Sequence, residues 1–124
     1  MDYSQMTNEQ VNERLAVEVM GWEKEKTWFD GLHNYIEYWT LGNGIPVMDN
    51  NIGKSYCSFW QPTTDLNHAV MCAEKIGREI YIEKRVGGDY WVMVGELSDN
   101  PSVAESASLP RALSEAILQA VDNG

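Results

Sequence analysis

The chain predicts an α/β domain with α+β connectivity, a three-layer sandwich in which helices cover both faces of an antiparallel sheet. Three segments carry that prediction. Trp60-Gln61-Pro62-Thr63-Thr64-Asp65-Leu66-Asn67 opens one helix, Gly87-Gly88-Asp89 turns between two alternating runs, and Ser108-Leu109-Pro110-Arg111-Ala112 opens another helix. Helix starts and turn geometry explain every one of these residues, so they set an architecture without assigning an activity.

Thr7 is placed as an N-cap, and Gln10 completes a capping box in which each side chain satisfies a backbone donor at the other position. The first helix is expected over residues 8–20, with Val11, Leu15, Ala16, Val19 and Met20 on its apolar side and Gly21 supplying a left-handed stop. Trp28 and Phe29 close a charged stretch read as a short strand suited to an edge, and residues 35–41 form a second aromatic and β-branched strand. Gly42-Asn43-Gly44 signals a turn, after which Ile45-Pro46-Val47-Met48 returns as an edge strand, since Pro46 lacks a donor; 49–53 is read as loop.

The second helix is expected to start near Thr64, with Asp65 in its first turn, where a negative charge suits the helix dipole. Its stripe is Leu66, Ala69, Val70, Ala73 and Ile76, and Gly77 ends it. The clearest hairpin then joins residues 79–85 to 90–94. Ile80 and Ile82 oppose Tyr81 across the first strand, and Val92 and Val94 oppose Trp91 and Met93 across the second, so both faces are apolar and both call for cover. Residues 98–106, rich in Ser, Asn, Asp and Pro, are read as loop. Ser108 caps the last helix, Pro110 sits where a missing N–H costs nothing, and Leu109, Ala112, Leu113, Ala116, Ile117, Ala120 and Val121 form its stripe.

A length of 124 residues suits one domain, residues 1–124, carrying an aromatic-rich insertion or irregular segment at about 31–59. No run reaches the roughly 18 apolar residues of a membrane helix, and Met1-Asp2-Tyr3-Ser4-Gln5 lacks a basic n-region, so a soluble cytoplasmic protein is expected. Cys57 and Cys72 lack CxxC spacing and suit two reduced thiols. The formal charge of −10 disfavours direct nucleic-acid binding, which draws on Lys and Arg at phosphates, while favouring encounter with basic partners.

Catalytic chemistry finds little support. His68 and Cys72, at i and i+4, could reach one metal ion, but Cys72 is more economically read as packing at the core margin and His68 as a surface or boundary residue. Cys57 and His33 could meet, with Ser55 or Ser58 nearby, yet no nucleophile elbow accompanies them. The glycines form neither GxxxxGK[ST] nor GxGxxG, and Glu23, Glu25, Asp30, Glu37 and Asp49 are accounted for by a solvated acidic surface. The expectation is therefore no catalytic residue, no metal and no cofactor.

The unusual distribution is aromatic. Trp22, Trp28, Phe29, Tyr35, Tyr38, Trp39, Tyr56, Phe59 and Trp60 crowd into one part of the chain. Most are read as filling between sheet and helices, while Tyr35, Tyr38 and Trp39 are the candidates for an exposed interaction patch or a self-association contact, because such side chains dominate binding hot spots.

The capped first helix ending in Met20-Gly21-Trp22, the Pro62-Thr63-Thr64-Asp65-Leu66-Asn67 start, the strands around the glycine turn and the Leu109-Pro110-Arg111-Ala112 helix together resemble the phage ABA sandwich domain family. The resemblance spans most of the chain and departs from the family at 31–59. It implies helix, sheet, helix layering and a phage or prophage origin, and it carries no catalytic residue or cofactor. The function expected is that of a phage accessory protein, a non-enzymatic protein-interaction module in the bacterial cytoplasm that binds a protein or itself. The alternatives are capture of a small planar, nucleotide-like ligand and an acidic nucleic-acid mimic that blocks a basic host protein.

Overall fold

The computed structural model describes residues 2–29, 34–41, 45, 47–49, 54–55, 60–95 and 101–123. Its chain contacts fall into two compact units, Met1–Met20 with Gln61–Gly124 as the first and Gly21–Trp60 as the second. The insertion expected at about 31–59 lies inside the second unit, which begins earlier, at Gly21.

The first unit opens with a 3-10 turn at Tyr3–Gln5 and helix α1 at Asn8–Glu18. The capping box forms as the sequence demands: Thr7 Oγ1 accepts from the Gln10 backbone at 3.1 Å, and Gln10 Oε1 accepts from the Thr7 backbone at 2.8 Å. Val11, Leu15 and Ala16 form its buried side, and Gly21 takes the left-handed φ of 72° just beyond its end.

Helix α2 spans Leu66–Ile76 and ends on left-handed Gly77, as expected. Its start corrects the sequence reading, because Asp65 is the N-cap itself, its side chain accepting from the Asn67 backbone at 2.9 Å. The buried side is also rotated. Leu66 and Val70 are 41% and 39% exposed, whereas His68, Ala69 and Cys72 are buried, so His68 is not a surface residue. Burial of that imidazole is compensated by a hydrogen bond, the Gln61 backbone donating to its Nδ1 at 3.0 Å.

The sheet of this unit has the order β5-β6-β7, all antiparallel, with β5 at Ile80–Lys84, β6 at Tyr90–Val94 and β7 at Ser102–Ser106. The glycine-turn hairpin forms in the expected place, with Gly87 and Gly88 both at positive φ. The presence of β7 corrects the loop reading of 98–106. Its polar composition hid an alternation, Ser102 buried and Val103 exposed, that suits a strand with one face covered.

Helix α3, Leu109–Asn123, packs on β6 and β7 and also on α1 and α2. Residues 112–118 are buried without a break, nearly two turns, which one stripe cannot produce; α3 is enclosed rather than merely laid on a surface. The expected α+β class, an antiparallel sheet packed with helices, is thus what the chain forms. Cover is uneven across the sheet, however. Val92, Met93 and Val94 are consecutive and buried, so β6 is dry on both faces there, while Tyr81 and Ile82 on β5 are about half exposed on opposite faces.

The second unit contains the antiparallel pair β1, Glu23–Phe29, and β2, Asn34–Thr40, and a short ladder of β3, Met48–Asp49, with β4, Lys54–Ser55. The two strands read from aromatic content therefore pair with each other, Glu23 opposite Thr40 through Phe29 opposite Asn34. The chain does return along β2 after the Gly42-Asn43-Gly44 segment, which lies outside the described residues: Val47 donates to the Trp39 carbonyl at 2.9 Å and Leu41 to the Ile45 carbonyl at 3.1 Å. The ladder at Met48–Asp49 falls partly where a loop is expected.

Candidate functional site

Most of the ionisable groups in the first unit are committed to structure. Arg111, near the start of α3, donates Nε–H to Glu115 Oε2 at 2.7 Å one turn on, and its other nitrogens donate to Asn8 Oδ1 and to the Tyr3 and Met6 carbonyls. Both side chains are largely buried, 12% and 8% exposed, so this fork ties the N-terminal turn to the central helix. A second cluster joins the ends of α1 and α3. Arg14 contacts Glu18 at 2.6 Å and Asp122 at 2.7 Å, and the Tyr3 hydroxyl donates to Asp122 at 2.5 Å. Burial and then the Asp122 hydrogen bond push the Tyr3 hydroxyl up to about 12. For Asp122, burial opposes the charge, but hydrogen bonding with Tyr3, Glu18 and Arg14 holds its carboxyl below the ordinary range. Groups held in this way brace the fold.

A cavity of about 210 Å³ opens between the N-terminal turn, β7 and α3, lined by Asp2, Ser4, Glu105, Glu115 and Gln119 among others. Three of its polar groups are engaged: Asp2 caps the Ser4 backbone, Glu115 holds Arg111, and Gln119 Oε1 accepts from the Val103 backbone at 3.0 Å. No group of three metal-ligating side chains occurs among the described residues.

One of the chemically capable pairs singled out in the sequence, His68 with Cys72, lies among the described residues. His68 and Cys72 are both buried on α2, and His68 uses Nδ1 to accept from Gln61 while Nε2 lies 3.7 Å from Asp65. Burial pushes the Cys72 thiol up to about 12, leaving it neutral and unreactive at pH 7. A brief treatment with iodoacetamide at neutral pH should therefore leave the Cys72 peptide unmodified in the native chain and carboxamidomethylated in urea. Native labelling of that peptide, read by mass spectrometry, would contradict the burial. Cys57, His33, Ser58 and Asp30 lie outside the described residues.

The three aromatic candidates share strand β2. Trp39 is buried, 5% exposed, with the Lys24 ammonium 5.4 Å from its ring centre across the β1–β2 pair. Tyr38 is half-buried and, being the next residue in the strand, faces the opposite side. Tyr35 stands in register with Trp28, which is 49% exposed. Trp22 and Trp60 pack edge to face, ring centres 4.6 Å apart, and both are buried.

The surface that stands out instead is the outer edge of the first unit's sheet. Gly95 donates to the Glu79 carbonyl and Arg85 to the Asp89 carbonyl, so the backbone groups of residues 79, 81, 83 and 85 face β6. Those of Ile80, Ile82 and Lys84 consequently point away from the sheet, and among the described residues no strand pairs with them. The far edge is treated differently: β7 lies against α3, and Gln119 caps its outward Val103 N–H. Nor do Lys84 at its end and Arg85 just beyond guard this edge. Lys84 folds back, its ammonium donating to the Gly88 carbonyl at 2.7 Å and lying 4.2 Å from the Tyr90 ring centre, and Arg85 lies 5.3 Å from that of Trp91. What remains is an Ile-Tyr-Ile edge with Tyr81 and Ile82 each about half exposed and Val86 fully exposed at the turn.

The sequence shows this hairpin but not its openness, since apolar residues on both faces read as a covered strand. The available signal is connectivity. When three consecutive strands form a meander, the first is at an edge, and β7 is the strand that completes this one.

No protein-family model and no curated protein matches the chain. Among solved structures it is similar to a phage protein from Bacillus cereus ATCC 14579, with a TM-score of 0.59 and 18% identity over 94% of this chain and 89% of that one. At that identity the likeness is one of fold, and it extends over nearly the whole of both chains.

Proposed function

We propose that the chain is a phage accessory protein that works as a non-enzymatic protein-interaction module, binding an extended segment of its partner along β5. The observation that carries this reading is the contrast between the two sheet edges, β7 packed against α3 and capped by Gln119, β5 left with outward backbone groups beside half-exposed Tyr81 and Ile82. Strand addition uses such an edge: main-chain hydrogen bonds supply affinity and alternate side chains supply selectivity. The phage origin rests on the fold shared with the Bacillus cereus phage protein, and membership of the phage ABA sandwich family belongs to the same proposal. A cytoplasmic site of action and the absence of a cofactor are likewise part of it.

Ile82→Pro is the discriminating substitution. It deletes an N–H that the chain's own sheet does not use, at an edge position where proline is tolerated. With the tagged full chain as bait in bacterial lysate that also contains the untagged chain, the wild type should retain a protein partner, foreign or a second copy, that the Ile82→Pro chain loses, with the melting temperature unchanged. Retention of the same partner by a folded Ile82→Pro chain would refute binding along β5.

A further inference from the structure

Resting on that reading, we infer that the occupant of the β5 edge is a second copy of this chain, paired antiparallel about a twofold axis at Ile82. The backbone fixes which registers are available. Outward-facing groups belong to Ile80, Ile82 and Lys84, so a hydrogen-bonded ladder between two β5 strands joins these residues.

Side-chain chemistry then selects one register. Centred on Ile82, the two Ile82 side chains oppose each other, Ile80 opposes the apolar stem of Lys84, Tyr81 opposes Glu83, and Glu79 opposes Arg85. Symmetry makes each heterologous pair occur twice, so two opposite-charge pairs flank a central aliphatic pair. A register centred on Tyr81 would set Glu79 against Glu83 and Arg78 against Lys84. One centred on Glu83 or on Lys84 would oppose like charges at the axis itself, and one centred on Ile80 would run into Gly77 at the end of α2. Like charges directly opposite are destabilising, so the Ile82 register is the one in which charge and backbone direction agree.

The charged groups already stand on the correct face. Residues 79, 81, 83 and 85 share one side of the strand, the Tyr81 hydroxyl donates to Glu79 Oε2 at 3.1 Å, and Arg85 is on this side beside Trp91. Pairing would join the three strands of each copy into one continuous sheet and would remove the open edge from both. It would also give a chain of formal charge −10 a local, charge-matched reason to meet its like.

Sedimentation velocity on the full chain at rising micromolar concentration should show a dimer. Arg85→Glu should raise its dissociation constant about tenfold, since both flanking pairs turn from attractive to repulsive. Glu79→Arg should do the same. The decisive measurement is the mixture: Glu79→Arg chains combined with Arg85→Glu chains restore both opposite-charge pairs, so the mixed species should dimerise at least as tightly as the wild type. Melting transitions of the two single variants establish that each is folded before they are mixed. A wild type monomeric throughout the series, or single variants that associate no better mixed than alone, would overturn the inference. A monomer that still retains a different protein, lost in Ile82→Pro, would overturn the second copy as occupant and leave the interaction-module reading standing. Loss of both results would refute both.

Discussion

Replacing Arg111 by alanine is expected to cost the fold about 3–5 kcal/mol, the range for breaking a buried ion pair by removing one partner. The cause is less the lost attraction than what is left behind. Glu115, 8% exposed, would keep its carboxylate in a packed helix with its Arg111 contact removed, and the carbonyls of Tyr3 and Met6 would lose the donor that holds them to α3. Arg111→Lys should recover only part of the loss, because an ammonium is a point charge and cannot span Glu115, Asn8 and two carbonyls as the guanidinium fork does. The double variant Arg111→Met/Glu115→Met should be more stable than Arg111→Ala, since it removes the stranded charge together with its partner. Urea unfolding of the three variants measures this directly. An Arg111→Ala chain within about 1 kcal/mol of the wild type would show that the N-terminal turn carries no weight.

The parts of this fold that were legible in the sequence are those in which local chemistry and tertiary packing ask for the same residue. Thr7 and Gln10 satisfy each other's backbone whatever lies beyond them, and Gly77 and Gly87-Gly88 occupy positive φ that other residues resist. Pro110 in the first turn of α3 belongs to the same class. Where tertiary context decides, pattern reading fell short in identifiable ways. Ser102-Val103-Ala104-Glu105-Ser106 has weak strand propensity and is made a strand by pairing with β6 and by α3 above it. Hydropathy places Leu66 and Val70 inside α2 and His68 at its surface or boundary, but hydropathy scores a histidine without knowing that the Gln61 N–H will meet it.

Trp39 falls inward for a related reason. Density of Trp and Tyr measures how much area a segment can bury, and the density at β2 is used inward at Trp39. Period-two alternation also separates Tyr38 from Trp39, a point that residue-type counting overlooks. At β5 the alternation suggests cover on both faces, yet a strand can be apolar on both sides because it is covered or because it is waiting for cover. Only sheet order distinguishes these cases, and it puts β5 at the rim.

Truncation of Ile117 to alanine should destabilise the chain by about 2–5 kcal/mol, whereas Leu66→Ala, also an aliphatic truncation on a helix, should cost under about 1 kcal/mol. Ile117 has no exposed surface and lies in the run of α3 where residues 112–118 are all buried, so β6, β7, α1 and α2 are all anchored through its helix. Deleting its outer carbons removes transfer free energy and leaves a void that four flanking elements cannot all collapse into at once, which is the circumstance in which the cavity contribution is largest. Leu66 is 41% exposed at the first turn of α2, and solvent occupies whatever volume it vacates. The contrast tests the rotated face of α2 as well as the enclosure of α3, because the hydropathy stripe would have both leucine and isoleucine buried and would predict similar losses. Guanidinium unfolding midpoints at unchanged slope give the comparison. Equal losses at the two positions would mean that α2 turns the Leu66 side inward after all, and that the buried His68 and Cys72 face is not the one on which the helix packs.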